Sequence, residues 1–454
     1  MTSQRAVVIG ASMGGLLTAR VLAEVYDEVL LVDRDTVPDQ ATSRRGVPQG
    51  RQLHVLLARG RQALEELLPG VGGELTARGV PTVDLHGQVH WYNDGFPMRR
   101  APSPLTGFGV SRPLLEQVVR ARVAALPGLR IRTGCEATGL TSTADRRRVT
   151  GVRLHPRDGE PETVDADLVV DAAGRGTRSP RWLAELGHRP APEEQVRVDV
   201  TYLTRTYHRE PHHLDGLLGT LANATPGRPR GGIVAVQEND RFAVALSGML
   251  GEEPPADEAG MVEFADTLAA PQIAELLRTA EPAGPGAVMR FPASVRRRYE
   301  RLRRFPAGYL VVADALCSFN PLYGQGMTVA ALEALLLRRL LAQQAPDRLA
   351  RRFFRGAARI IDGPWAISVG TDLRFPEVPG RRSPRVRLVN AYVHRLHAAA
   401  TRDPALGAAF LRVLNLVDPP TRLLTPGVLL RVLRGPRPAA APRGQRPSAS
   451  SIAR

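Results

Sequence analysis

Lysine is missing altogether. The 454 residues carry 61 basic side chains, every one an arginine, against 45 acidic ones, for a formal net charge of +16. Such a surplus suits a protein that tracks phosphates along nucleic acid. The arginines are dispersed, however, and aromatic residues make up only 5% of the chain. No nucleic-acid partner is therefore expected; a coding preference for arginine, alanine, proline and glycine accounts for the bias. Cysteine is scarce too: Cys135 and Cys317 cannot build a disulfide framework, which points to a reducing cytoplasm. Long apolar runs are lacking. The best candidate, 330–341, contains Glu333 and is broken by Arg338 and Arg339, so no stable membrane insertion is expected. The first strand-like run starts near Arg5 and leaves no room for a signal peptide. Neither a metal-ligand cluster nor a catalytic triad is evident, and no metal is expected.

What is present begins at residue 10. The stretch GASMGG follows the strand-like run Ala6-Val7-Val8-Ile9 and opens a helix-like run from Leu16. A second strand, Val29 to Val32, ends at Asp33. This spacing suits a βαβ unit that binds a dinucleotide, the alternative being an ordinary helix-opening turn with no ligand. Gly10 allows the tight turn, position 12 lies where the backbone approaches a pyrophosphate, and Gly15 lets helix and strand approach. The helix start offers free N–H groups to phosphates, and Asp33 can accept hydrogen bonds from a ribose. The fingerprint wants glycine at position 12, where this chain has Ser12.

At 454 residues, two or more lobes are expected. A helix is predicted from Arg51 to Leu68, stopped by Pro69-Gly70, and another from a Ser111 cap to Leu126. Residues 129–170 read as short strands, with a hairpin at Arg157-Asp158-Gly159. Residues 195–300 alternate as strands around one helical insert near 257–279, a second sheet that builds a pocket. The run GYLVVADA returns to a buried parallel strand ending at Asp314, and a long helix follows from about Gly326. Residues 345–435 read as helical, and the Pro/Ala/Arg/Ser-rich tail from Gly435 as disordered.

Two further stretches carry chemistry. In LVVADALCSFNPLYGQGM (310–327) a carboxylate at a strand end precedes a helix start, so one element can hold sugar-like hydroxyls and the next can stabilise negative charge on a ring. In LVVDAAGRGTRS (168–179) a buried strand runs into a turn of small residues, and Arg112 opens the helix whose N-terminus could meet a pyrophosphate.

Three blocks in this order resemble FAD-dependent monooxygenases of the para-hydroxybenzoate hydroxylase-like type: the opening βαβ unit, LVVDAAGRGTRS, and VADALCSFNPLYGQGM. The loop RRGVPQGRQLHVLLARG (44–60) resembles a narrower group, the actinomycete antibiotic-biosynthesis oxygenases and polyether epoxidases. The resemblance implies an α/β chain with a Rossmann-like FAD-binding domain of the glutathione-reductase type, a mixed β-sheet substrate domain and a C-terminal helical region. Residues 1–79, 111–185 and 296–345 would form the FAD-binding domain. Residues 80–110 and 186–295 would form the substrate domain, 346–434 the helical region and 435–454 a disordered tail. By the same resemblance, Gly10, Ser12, Gly14 and Gly15 would cradle the FAD pyrophosphate, with Asp33 and Arg34 at the adenosine ribose and Arg112 at the pyrophosphate or ribitol. Ala137 would pass the adenine and Asp314 would hold the ribityl chain. Pro321, Gly324, Gly326 and Met327 would line the isoalloxazine, and Arg45 would lie near the flavin's mobile position. Arg45, His54 and Tyr323 are the candidate catalytic side chains. Three positions depart from the family's pattern: Ser12, Ala173 where aspartate is usual, and Ala313 where glycine is usual. The change at Ala173 bears on reduction by a nicotinamide cofactor.

The implied activity is hydroxylation or epoxidation of a small hydrophobic substrate, using NAD(P)H and dioxygen as co-substrates. Such chemistry needs no protein nucleophile. A flavin halogenase of this fold needs a lysine and a Trp-x-Trp-x-Ile-Pro stretch, and the chain has neither. An FAD-dependent reductase or dehydrogenase, a non-redox [4+2] cyclase that holds FAD as a structural part, and a non-catalytic FAD-binding protein stay open at this level, as does the oligomeric state.

Overall fold

The computed structural model describes residues 4–38, 40–44, 46–343 and 348–435. Its first layer is a five-stranded parallel sheet in the order Tyr309–Val311, Leu168–Asp171, Arg5–Ile9, Glu28–Val32, Leu129–Arg132. The central strand's Val7 and Val8 are fully buried, as are Val169, Val170, Leu310 and Val311 beside them. Continuous apolar runs of this kind require cover on both faces. The helices Met13–Leu22 and Gly326–Leu341 pack against one another in the same core, and an antiparallel three-stranded meander of 135–165 joins it. The meander turns at 157–159, where the sequence places a hairpin.

The second layer is an eight-stranded sheet. Its order is Cys317–Ser318, Ala287–Arg297, Glu193–His208, Arg241–Gly248, Arg230–Gln237, Gly219–Ala222, Val89–Asn93, Phe96–Pro97. Every pair is antiparallel except Gly219–Ala222 with Val89–Asn93. Period-two alternation divides its faces. A Cβ on Gly232 would come within 2.6 Å of Leu268, on the side covered by two short helices, Glu258–Asp266 and Pro271–Thr279. Ile233 and Ala235 alternate to the other side and line a cavity.

Four helices close the far end: Leu349–Asp372, Pro384–Ala400, Pro404–Leu414 and Pro426–Arg434. Proline occupies the first turn of the last three, where its missing N–H costs nothing. Ser383 and Asp403 cap two of them, accepting from Val386 N–H and Ala405 N–H. Among the described residues no helix is long and apolar enough to cross a membrane.

Local pattern fails in three places. The helix expected from Arg51 starts at Ala58, after a single 3₁₀ turn over Pro48–Arg51 and an extended run. That run makes tertiary hydrogen bonds instead: Gln52 Nε2 donates to Ala287 O (2.9 Å) and Leu53 N–H to Thr204 Oγ1 (3.2 Å), while Leu56 bridges Phe108. The strand expected to end at Asp314 ends at Val311, and the insert near 257–279 is two helices. Most of the tail, from 436 onward, lies outside the described residues.

Candidate functional site

The turn after the first strand brings backbone against backbone. Gly10 has φ +103°, a left-handed conformation that favours glycine. A Cβ on Gly15 would stand 1.7 Å from Gly10 O, and one on Gly14 would stand 2.6 Å from Ala313 Cβ. Ser12 occupies the N-cap position of the Met13 helix, but its hydroxyl does not cap it. Ser12 Oγ donates to Glu116 Oε2 (3.1 Å) and accepts from Arg112 Nη2 (2.9 Å). The first-turn N–H groups therefore stay free of side-chain partners, as an anion site requires.

A buried charge lattice stands beside this turn. Asp33 accepts from Ala11 N–H (2.7 Å), Asp35 N–H (2.9 Å) and Arg44 (3.0 Å). Glu116 accepts from Arg112 Nε (3.2 Å) and from Arg44 Nη2 (3.3 Å). Two guanidiniums are thus aimed at the turn by carboxylates that offset their desolvation. Arg34 and Ala137 line the same cavity, Arg34 exposed at its mouth. Arg112 is expected here from sequence; Arg44 and Glu116 join it only in the fold. The i,i+4 spacing of Arg112 and Glu116 on one helix was a legible signal; nothing local marked Arg44. The neighbouring candidate, Arg45, lies outside the described residues.

Across the cavity, Ala313 has φ +55°, which explains why glycine is usual there and costs an L-residue about 1–2 kcal/mol. Its N–H donates to Glu333 Oε2 (2.7 Å). This bend turns Asp314 into the cavity, where it makes no hydrogen bond to another described residue. Burial raises its pKa, against the opposing fields of Arg112 and Arg175. Arg175 also lines the cavity and lies 4.3 Å over the Phe291 ring. The Gly326 helix has no side-chain N-cap, and its first residues, Gly326 and Met327, line the cavity beside Pro321 and Gly324.

The candidate catalytic side chains divide. His54 lines the cavity with Nδ1 against Gln52 O (3.0 Å), and burial, then Arg112, pushes its pKa down to about 3. It is neutral at physiological pH, with Nδ1–H donating and Nε2 left as an acceptor. Tyr323 donates to Asp372 Oδ1 (2.7 Å), which also accepts from Asn320 Nδ2 (2.9 Å). Its hydroxyl is committed to holding the 320–324 loop on the Leu349–Asp372 helix. At the middle block Asp171 accepts from Ala173 N–H (2.8 Å), Thr177 and Ser179, so the acid two positions before Ala173 braces the turn.

Glu333 is buried, and burial pushes its pKa up to about 8 from 4.5, against the Ala313 hydrogen bond and with the Asp314 charge. The folded state thus holds this proton more tightly than the unfolded one. Its stabilisation is complete below about pH 4.5, fades as pH rises, and is gone above about 8. Glu333→Gln keeps an acceptor for Ala313 N–H and cannot ionise. In thermal melts from pH 5 to 9, wild type is expected to lose stability relative to this variant by up to about 1.4 kcal/mol per pH unit. Parallel curves would refute the assignment.

One cavity of about 1650 Å³ joins the glycine turn, Asp33, Asp314 and the 321–327 loop to the apolar face of the eight-stranded sheet. Pockets for one ligand span roughly 300–1,000 Å³, so a dinucleotide leaves room for a second molecule. The donor set fits such a cofactor: two helix starts and two arginines for phosphates, and two carboxylates for sugar-like hydroxyls.

Residues 3–348 match the FAD-binding domain family. Protein Rv3254 of Mycobacterium tuberculosis is 35% identical over 432 residues, covering 91% of this chain and 90% of that protein. Kynurenine 3-monooxygenase of Salinispora arenicola is 29% identical over 378 residues, 78% of this chain and 76% of its own. Among solved structures, the flavin-dependent brominase Bmp2 shares the fold with a TM-score of 0.66 at 15% identity, over 90% of this chain and 92% of that one. The Diels-Alderase PyrE3 of pyrroindomycin biosynthesis does so with a TM-score of 0.60 at 19% identity, over 92% and 81%.

Proposed function

Because the chain belongs to the FAD-binding domain family and is a flavin-dependent monooxygenase with FAD as its cofactor, we propose that it uses NAD(P)H and dioxygen to hydroxylate or epoxidise a hydrophobic intermediate of secondary metabolism. The substrate is a polyketide, terpenoid or aromatic compound, in keeping with an actinomycete antibiotic-biosynthesis role. The observation that carries this reading is the single cavity that joins a dinucleotide cradle to an apolar sheet face.

When bound, FAD supplies the redox chemistry, accepting electrons from NAD(P)H and passing them to dioxygen. The chain's own residues do the rest. The Gly10–Gly15 turn, Arg44 and Arg112 would hold the diphosphate, Asp33 and Arg34 the ribose, and Asp314 the ribityl hydroxyls. Ala137 would flank the adenine. Pro321, Gly324, Gly326 and Met327 would line the ring, where the helix start favours negative charge. Leu53, Val55 and Leu57 line the cavity on the other side of Gly324 and keep water from the reacting groups. Neutral His54 offers Nε2 as a hydrogen-bond acceptor there, and Tyr323 positions the loop rather than transferring a proton.

The test incubates FAD-loaded enzyme and candidate substrates with NAD(P)H and labelled dioxygen, and again anaerobically with oxidised flavin alone. One labelled oxygen, incorporated only in the first tube, is the expected result. Conversion in the second tube to a product of unchanged mass would establish the non-redox cyclase that Ala173 keeps in view.

A further inference from the structure

Five of the seven large apolar side chains that stand exposed among the described residues lie near the C-terminus: Leu388 (73% exposed), Val389, Leu424, Leu430 and Leu433 (60%). Single exposed leucines are ordinary, but a cluster of them marks a surface that meets a partner or a membrane. All five fall beyond the residues 3–348 that the family match covers. They belong to the helix Pro384–Ala400, the 3₁₀ turn Pro420–Leu424 and the helix Pro426–Arg434. These elements are bonded to one another: Tyr392 donates to Leu423 O (2.5 Å) and Arg395 Nη2 to Leu433 O (2.8 Å).

The second half of the helix Pro384–Ala400 is clamped to the body. Asp94, in the turn after Val89–Asn93, accepts from Nδ1 of His394 (3.0 Å) and of His397 (2.9 Å), and Leu396 to Ala400 are buried. The first half is not held in this way. Arg387, Leu388 and Val389 are exposed in succession. Three consecutive residues sweep more than half a helical turn, so this end stands off the body. Leu388, Val389 and Leu424 also line the cavity. The cavity that begins at the glycine turn therefore reaches the surface between these elements, through a rim of leucine and valine.

Charge selects the occupant of this face. Residues 373–435 carry eleven arginines against only Glu377, Asp403 and Asp418. Asp403 is already paired with Arg431 (2.9 Å) and Asp418 with Arg412 (2.7 Å). Arg385, Arg387 and Arg434 are exposed and form no ion pair among the described residues; Arg387 precedes Leu388 and Arg434 follows Leu433. A second copy docked about a two-fold axis would set these arginines against themselves. A rigid protein partner would seal the mouth. An anionic bilayer suits all three features: its acyl region takes the leucines, its headgroups take the guanidiniums, and an apolar molecule dissolved in it lies at the opening.

We propose that the surface formed by 385–389 and 424–434 docks on an anionic lipid bilayer, with the cavity mouth facing the acyl region. The chain lies on the membrane and does not cross it, since no described helix is long and apolar enough to do so. Docking goes beyond the oxygenase reading and does not depend on it.

The test needs no turnover, so its failure is separable from failure of the labelled-dioxygen experiment. FAD-loaded full chain is sedimented with vesicles of phosphatidylcholine alone, or of phosphatidylcholine and phosphatidylglycerol in equal parts. Binding to the mixed vesicles is expected to be at least roughly tenfold stronger at low salt. At about 1 M salt, where charges are screened within about 3 Å, binding should weaken but persist, because inserted leucines are not screened. Leu430→Ser combined with Leu433→Ser keeps every charge and alters no residue that lines the cavity. Its binding at high salt should fall at least roughly tenfold, with flavin content and melting temperature retained, since both side chains are exposed. If that variant fails to fold, Leu388→Ser takes its place in the same assay. Four results would each overturn the proposal: no vesicle binding, no preference for the anionic lipid, complete loss of wild-type binding at high salt, or a folded serine variant that binds as wild type does. A wild type that ignores vesicles but forms a dimer, lost in the serine variant, would assign the face to a second copy and overturn it as well.

Discussion

Gly15→Ala is expected to yield no FAD-loaded protein. The added Cβ would lie 1.7 Å from Gly10 O and 2.9 Å from its carbonyl carbon, both backbone atoms. Neither can swing aside as a side-chain end can, because Gly10 is itself pinned by its N–H to Val32 O (2.7 Å) and stands beside Ala172. Relief requires the helix and strand to separate, opening a core in which Leu16, Leu17, Val7 and Val8 are fully buried. A loss above about 4 kcal/mol belongs to this class of change. The matched control is Gly73→Ala, in the helix Val71–Ala77, where a Cβ meets nothing within 4 Å. It should leave flavin content unchanged and stabilise slightly, by about 0.5–1 kcal/mol. Flavin-to-protein absorbance ratios and melting temperatures read both; a Gly15→Ala protein with normal values would mean that the crossing is looser than described.

Asp314→Ala separates binding from folding. The carboxylate makes no hydrogen bond within the described chain, and burial disfavours its charge. Removing it therefore leaves the apoprotein as stable as before, or slightly more so. Bound FAD would lose charge-assisted hydrogen bonds worth about 1.5–3 kcal/mol each, so its affinity should fall at least roughly tenfold. The variant is expected to purify nearly colourless, with an apoprotein melting temperature no lower than wild type. Equal FAD affinity in fluorescence titrations would show that Asp314 does not serve the cofactor. A destabilised apoprotein would show that its role is structural.

The two variants also mark how far sequence carried. The Gly15 crossing and the Ser111 cap were legible because their causes are local: a glycine at the point of approach, and a hydroxyl three residues ahead of an N–H. The long helix from Gly326 was legible for the same reason. The helix expected from Arg51 to Leu68 includes His54, but Gln52 and Leu53 bond to a distant sheet and draw the run out straight. Nothing near Tyr323 in sequence shows that its hydroxyl is engaged, because its partner Asp372 lies 49 residues on, in another helix.

By itself the sequence determined the α/β class, the βαβ turn and the order of the three blocks, because a turn, a cap or a buried strand is specified by contiguous residues; the cofactor came through the resemblance those blocks carry. Only the tertiary structure decided which arginine joins Asp33 and Glu116, where Ala313 bends the chain, and that Asp94 meets His397 across 303 residues. Each of those outcomes depends on charges and polar atoms finding partners once they leave water, and burial of that kind has no signature along the chain.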